Sequence, residues 1–361
     1  MIDRLVEQIL QPLPKRTQEI ISRRLGLETG FAETLEAIGQ DLTITRERVR
    51  QLESVGFKQI NNTLAQSSIL DDFFQAVENH LSHFQGLREE KRLLKELSYI
   101  FNDEEAQPLK IRFLLFLDKR LFHFAEAEDH SAFWVTDKKL AQKVISLVKK
   151  LNRAIRSKSA PLPAETFEGF VKGMAKGLGL DKVPVGILMS YVSLSPKIAF
   201  SPFGYIGTEQ HLEIAPQNVG EKAYLILKSA GRPMHFRDLT EAMNQHAQNA
   251  SGFHPVWQKQ VEAQTVHNQL IKAGNFVLIG RGTYALSEWG YKPGTVKQVL
   301  VGILRKAKQP ISFDLIVKEV KKIRLVKEST VFINLQDKKL FKKFPGKKYA
   351  LKQAKLKAEE A

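Results

Sequence analysis

Between residues 14 and 64 the apolar positions recur at helical spacing in three runs. The first, Pro14 to Leu25, opens with proline at an early helical position and closes at Gly26, a residue suited to a helix stop. The second, about Thr34 to Asp41, carries Leu35, Ile38 and Leu42 on one side. The third starts at Thr45, whose hydroxyl suits an N-cap, and buries Val49, Leu52 and Ile60 at helical spacing. Three such helices predict a helix-turn-helix.

Downstream, four segments end alike, with an apolar strand, a tight turn and a second strand. They span Leu121 to Val135, Lys197 to Ile206, Asn275 to Ala285 and Leu340 to Ala350. The last three place Phe-Gly, Gly-Arg-Gly and Pro-Gly at the turn, residue types that suit hairpin loops. Two or three helical stretches precede each hairpin. In the last unit they are predicted over about Thr295 to Ala307, Ser312 to Ile323 and Lys327 to Lys339. Helices followed by a β-hairpin are the winged-helix plan, in which the helix before the hairpin is the usual groove reader. The expected fold is mainly α with small β-hairpins, a helix-turn-helix followed by tandem winged-helix domains. The expected divisions are a helix-turn-helix at 1–66, winged units at 67–138, 139–216, 217–291 and 292–354, and a tail at 355–361. Winged helices also dock proteins, and the first two winged units are open to either reading.

The chain has 361 residues and a formal net charge of +16. Residues 1–64 hold nine basic and nine acidic side chains, whereas residues 292–361 hold nineteen basic and six acidic. Attraction to a polyanion is therefore concentrated at the C-terminal end. No cysteine is present, which excludes disulfides, thiolate zinc sites and cysteine nucleophiles. The first ten residues, MIDRLVEQIL, lack the pattern of a signal peptide, and the longest apolar runs are too short to span a bilayer. A cytoplasmic, nucleoid-associated protein without a membrane partner is expected.

The sharpest motif is Thr45-Arg-Glu-Arg-Val-Arg-Gln-Leu-Glu53. At about 100° per residue, Arg46 and Arg50 share one flank with Glu47 and Gln51 beside them, while Val49 and Leu52 point to the core. Arginine suits guanine O6/N7, glutamine suits adenine, and glutamate accepts from cytosine N4. The stretch closely resembles region four of the sigma-seventy family, in which Thr-Arg-Glu-Arg-(Val/Ile)-Arg-Gln-(Ile/Leu)-Glu forms the helix that reads the minus-thirty-five promoter element. Arg23-Arg-Leu-Gly-Leu27 and Thr34-Leu-Glu-Ala-Ile-Gly39 resemble the family's earlier helices. The resemblance implies base contacts by Arg46, Glu47, Arg50 and Gln51 after the N-cap Thr45, with Arg48 at phosphate or polymerase. The family commonly has glycine in the turn where Thr43 stands, so this turn is expected to be built differently or to carry strain. Only about a dozen residues precede the helix-turn-helix, so the family's aromatic-rich promoter-melting region is not expected.

Residues 217–291 resemble the HARE-HTH winged helix on Ala223 to Leu239, Thr265 to Leu270 and Phe276 to Leu286. That domain is shared by the polymerase delta subunit, restriction-system proteins and chromatin factors, which implies DNA or polymerase contact. Here Arg281, between two glycines at the wing tip, is the candidate groove contact. His235 is expected to cap or pack. His267 suits either a DNA contact or packing. In the last unit Lys342, Lys343, Lys347 and Lys348 flank a Pro-Gly turn, with Lys338 and Lys339 just before it, a composition suited to phosphate rather than base contact.

No P-loop, HExxH or Gly-x-Ser-x-Gly pattern occurs, and no catalytic, cofactor or metal residues are assigned. The function expected is a non-enzymatic, sequence-specific transcription factor acting in bacterial initiation, with promoter-like duplex DNA and RNA polymerase core as partners. Two alternatives stand beside it, a delta-like polymerase accessory subunit and the DNA-binding part of a restriction or repair system.

Overall fold

The computed structural model describes residues 1–102, 107–248, 253–291, 293–307, 309–324 and 326–352. Lys292 and the tail expected at 355–361 lie outside them. The chain divides into two compact units, Met1–Ile198 and Ala199–Ala361.

The first unit begins with a helix for which residues 14–64 gave no hint. α1 (Ile2–Leu10) precedes α2 (Lys15–Leu25), α3 (Leu35–Asp41) and α4 (Arg46–Leu64). Gly26 closes α2 at φ +65, and Thr34 and Thr45 cap α3 and α4 by accepting the N–H of Ala37 and Arg48. A winged module follows with α5 (Asp71–Ser82), β1 (Leu87–Glu89), α6 (Glu90–Ile100), α7 (Pro108–Leu117), β2 (Phe122–Phe124) and β3 (Phe133–Val135). Its sheet has the order β1-β3-β2 and is antiparallel throughout, with Leu87 and Phe122 both opposite Val135. α8 (Lys138–Arg156), β4 (Leu162–Pro163), α9 (Ala164–Lys176) and α10 (Val185–Val192) complete this unit.

One hydrophobic core runs through α1, the back of the helix-turn-helix and the first winged module. It joins Ile2, Val6 and Ile9 to Ile21 and Ile60, and these to Leu93, Leu97, Ile111, Leu114 and Trp134. The Trp134 indole N–H reaches Glu90 at 3.0 Å, so its polar edge is satisfied inside that core. A smaller cluster of Ile20, Ile38 and Val49 holds the three helices of the helix-turn-helix together.

The shared core decides what the first wing can do. α7 is apolar around most of its circumference, and Ile111, Phe113, Leu114, Leu115 and Leu117 are all buried. Such a helix is an interior element. α1 packs on it, and Lys110 pairs with Asp3 at 2.6 Å. In the next set of helices, α10 is tied to the first winged module. Ser190 accepts from Arg88 at 2.8 Å and Tyr191 donates to the Phe84 carbonyl at 3.0 Å. Arg88 is itself buried, stacked on Phe84 and held by Glu96, which also meets His80 at 2.8 Å. Most of α7 is therefore packed into protein, with Pro108 and Phe116 left at the surface, which favours the docking reading of this unit.

The second unit starts with the hairpin β5 (Ala199–Phe200) and β6 (Tyr205–Gly207). A winged module follows with α11 (Val219–Ala230), β7 (Met234–His235), α12 (Phe236–Gln248), α13 (Ala263–Lys272), β8 (Phe276–Gly280) and β9 (Thr283–Leu286). The last module has α14 (Val296–Ala307), β10 (Ile311–Ser312), α15 (Phe313–Ile323), α16 (Glu328–Leu335), β11 (Phe341–Phe344) and β12 (Lys348–Leu351). Both build three-stranded antiparallel sheets in which the short first strand pairs with the last, in the orders β7-β9-β8 and β10-β12-β11. The helix predicted over Lys327 to Lys339 is shorter than expected. It ends at Leu335, and Asp337 accepts the N–H of Lys339 at 3.0 Å to form a turn into the wing. Lys338 and Lys339 are accordingly off the helix.

Replacing Leu114 by alanine should cost about 2–5 kcal/mol, as for other large-to-small core changes. Hydrogen exchange on the whole chain checks the shared core. Amides of α1 and α6 should lose protection together in that variant, and loss confined to α6 would contradict a common core.

Candidate nucleic-acid interface

The turn between α3 and α4 is a complete Schellman closure. Ile44 N–H bonds the Gly39 carbonyl at 2.9 Å and Thr43 N–H bonds the Gln40 carbonyl at 3.3 Å. The hydrophobic contact of that motif is made by Ile44 in the cluster that contains Ile38. The residue in the left-handed position is Thr43, at φ +55. The expected strain is real, because a β-branched residue there costs about 1–2 kcal/mol relative to the right-handed regions. Gly39 is required for a different reason. A Cβ on it would lie 2.8 Å from the Ile44 carbonyl oxygen, inside the turn. Gly56 serves the other side of α4, where a Cβ would meet Thr17 and Ile21 of α2 at 2.7 Å.

Arginines outside the reading motif brace this frame. Arg16 donates to the Leu42 carbonyl at 2.7 Å, which satisfies the C-cap of α3. Arg23 forks onto Glu33 at 2.8 and 2.9 Å and reaches Asp41 at 2.5 Å, and these hydrogen bonds raise its pKa above the ordinary arginine value. Arg24 donates to the Glu33 carbonyl and pairs with Glu53 of α4 at 3.4 Å. Sequence reasoning assigned the Arg23-Arg24 pair by resemblance only and missed Arg16. A basic residue one helix before the turn is the only signal it offered.

The six motif residues from Thr45 to Gln51 other than Val49 are all exposed, and Val49 is fully buried. The α-helix brings Arg46 and Arg50 to one flank and Glu47 and Gln51 beside them. Arg50, Glu47 and Gln51 already have side-chain partners within the helix. Arg50 grips Glu47 with two bonds of 2.7 and 2.8 Å, and Arg48 donates to Gln51 at 3.3 Å. The hydrogen bond from Arg50 holds the Glu47 carboxyl below its usual range, so it stays an acceptor.

Residues 9–62 match the family model described as Sigma-70, region 4, and residues 219–289 match the HARE-HTH model, the helix-turn-helix domain of ASXL and restriction endonuclease proteins. The chain carries a sigma-70 region 4 helix-turn-helix and a HARE-HTH winged helix. These two domains support a helix-turn-helix DNA-binding protein. RNA polymerase sigma factor sigB of Arabidopsis thaliana is 39% identical over 57 residues, which are 16% of this chain and 10% of the plant protein. RNA polymerase sigma factor SigA of Clostridium acetobutylicum is 31% identical over 71 residues, 20% of this chain and 19% of that one. SigA of a Nostoc species is 33% identical over 70 residues, 19% of this chain and 18% of its own. The chain therefore spans between 10% and 19% of the length of these curated relatives.

In the HARE-HTH module Arg281 is exposed at the wing tip, between Gly280 and Gly282. Gly282, at φ +69, is needed because a Cβ there would sit 2.5 Å from the His235 ring, and its carbonyl accepts the Phe236 N–H at 2.9 Å. His235 caps as expected, accepting the Arg237 N–H at 3.3 Å. His267 packs, its ring stacked 4.5 Å from Phe236 and 5.9 Å from Tyr284. The outward residues of α13 that the sequence did not single out are Gln264, Thr265, Asn268, Ile271 and Lys272. In the last module, strand alternation divides the lysines. Lys342 and Lys348 share the outer face of the wing with Phe344, Lys343 belongs to the other face, and Lys347 sits in the turn at φ +53.

Replacing Thr43 by glycine should raise stability by about 1 kcal/mol through relief of the left-handed strain. Urea denaturation of the region 4 signal checks this, and an unchanged or lower midpoint would show that Thr43 sits there without penalty.

Proposed function

We propose that the chain is a sequence-selective transcription factor that acts with RNA polymerase at bacterial promoters. One observation supports this above the others: the N-terminal face of α4 is open, with Arg46, Glu47, Arg48, Arg50 and Gln51 all exposed, while α7, the corresponding helix of the next module, has its apolar side packed into protein. In this reading Arg46 and Arg50 take guanine edges, Gln51 takes adenine and Glu47 accepts from cytosine, while Arg48 meets a phosphate or the polymerase. Meeting DNA requires Arg50 to exchange Glu47 for a base. An exposed ion pair is weak in water, so the exchange is feasible.

The protein acts by binding rather than by catalysis, in the cytoplasm at the nucleoid. No described helix is long and apolar enough to cross a membrane. RNA polymerase enters through the named relatives, all of which are polymerase sigma factors. The wing lysines and Arg281 add phosphate contacts.

Fluorescence anisotropy on a promoter-like duplex and a scrambled one tests the reading. The promoter duplex should bind at least tenfold more tightly, and equal affinity would remove sequence selectivity. Arg50→Ala should weaken the promoter complex about five- to 150-fold, the range of a bidentate base contact. The same loss on scrambled DNA would reduce Arg50 to a phosphate clamp. Core polymerase should be retained by the immobilised chain. Retention together with equal DNA affinities would favour an accessory, delta-like role.

A further inference from the structure

A groove of about 920 Å³ opens on the last winged module, between the C-terminal turn of α14 and the strands of the wing. Five cationic residues line it: Arg305, Lys338, Lys342, Lys343 and Lys352. No carboxylate is among its described lining residues. Asp337, in the adjoining turn, is engaged elsewhere, with Lys297 at 2.8 Å and the Lys339 N–H at 3.0 Å. Apart from Gln309 the rest of its wall is apolar, and Phe344 stands half-exposed among the lysines, with the Lys342 ammonium 5.3 Å above its ring. Register explains the juxtaposition. Lys342, Phe344 and Ala350 all project from the face opposite buried Phe341 and Tyr349.

Cations alone would suit the outside of any duplex. An aromatic ring set in a concave, apolar-walled channel has no counterpart there, because a duplex keeps its base faces stacked inside. An unpaired strand offers both complements, a phosphate repeat for the lysines and free base faces for the ring. The volume lies at the upper end of the roughly 300–1,000 Å³ typical of ligand sites, which leaves room for a base and its flanking phosphates. An acidic peptide would satisfy the charge and leave the ring unused.

We propose that this groove binds single-stranded nucleic acid, with a base stacked on Phe344 and the neighbouring phosphates held by Lys338, Lys342 and Lys352. A stacking base takes the place over the ring now held by the Lys342 ammonium. The site is independent of duplex reading by α4, and it gives the basic C-terminal module a ligand that differs in kind from a promoter duplex.

The test uses the whole chain with fluorescent twelve-nucleotide oligothymidylate, oligouridylate and a twelve-base-pair duplex. Phe344→Ala should weaken single-strand binding about five- to 150-fold, the range for one lost base stack, while duplex affinity stays within about twofold. Phe344→Tyr should restore it, which separates stacking from a folding defect. Lys342→Ala should lower the single-strand salt slope by roughly 0.7. Preference between thymidylate and uridylate identifies the strand as DNA or RNA, and either supports the site. Equal losses on single and double strands, or displacement by polyglutamate as effective as by unlabelled oligonucleotide, would overturn the proposal in favour of a generic polyanion patch. Arg50→Ala should leave single-strand binding intact, so failure here is distinguishable from failure of promoter reading.

Discussion

The burial of α7 is the constraint from which the N-terminal half of the molecule follows. A helix apolar on nearly every side must be enclosed, and here the enclosing surfaces include α1 and the winged module's own elements. The same core takes in Ile21 and Ile60 from the back of the helix-turn-helix. The back of region 4 is therefore fixed to protein, and its exposed front is α4. Arg88 continues the same logic one step further, since its buried guanidinium links β1 to Glu96 and to Ser190 of α10. A buried charge left without those partners would be strongly destabilising, which makes this contact a demanding one to lose.

Much of this was legible before any coordinates. Thr34 and Thr45 announce helix starts because a hydroxyl can accept an N–H that the first turn leaves free. The last three hairpins show because a shift to alternating apolar residues, followed by glycine or proline, has few other meanings. Other features could not be read. The spacing of Ile2, Val6, Ile9 and Leu10 is helical, but a nine-residue helix is stable only with a partner, and the partner lies about a hundred residues away. Strands β7 and β10 are two residues long, too short for any period. The packing of α7 was written in Pro108-Leu-Lys-Ile-Arg-Phe-Leu-Leu-Phe-Leu117, which is mostly apolar, yet the winged-helix plan left this unit open between a DNA contact and a protein contact.

Within the candidate site, the motif gave the identities and the flank, since helical geometry fixes both. It did not give the side-chain pairing of Arg50 with Glu47, because long exposed side chains choose among several neighbours at similar energy. Nor did it give the roles of Gly39 and Gly56. Those depend on how closely backbone from elsewhere approaches, at 2.8 Å to Ile44 and 2.7 Å to α2 side chains.

The closed fork between Arg50 and Glu47 has a consequence for discrimination. Unliganded, the Arg50 guanidinium is neutralised by Glu47, while Arg46 and Arg48 keep the face positive within a segment whose overall charges balance. In the proposed reading the closed pair itself adds little long-range pull, so it bears on selectivity more than on speed of encounter. In the proposed reading, the weak exposed pair opens at little cost, but a wrong base pair then leaves both groups without replacement partners. A base pair that supplies an acceptor for the guanidinium and a donor for the carboxylate replaces both bonds at once, so the two positions would be read as a couple rather than as independent letters.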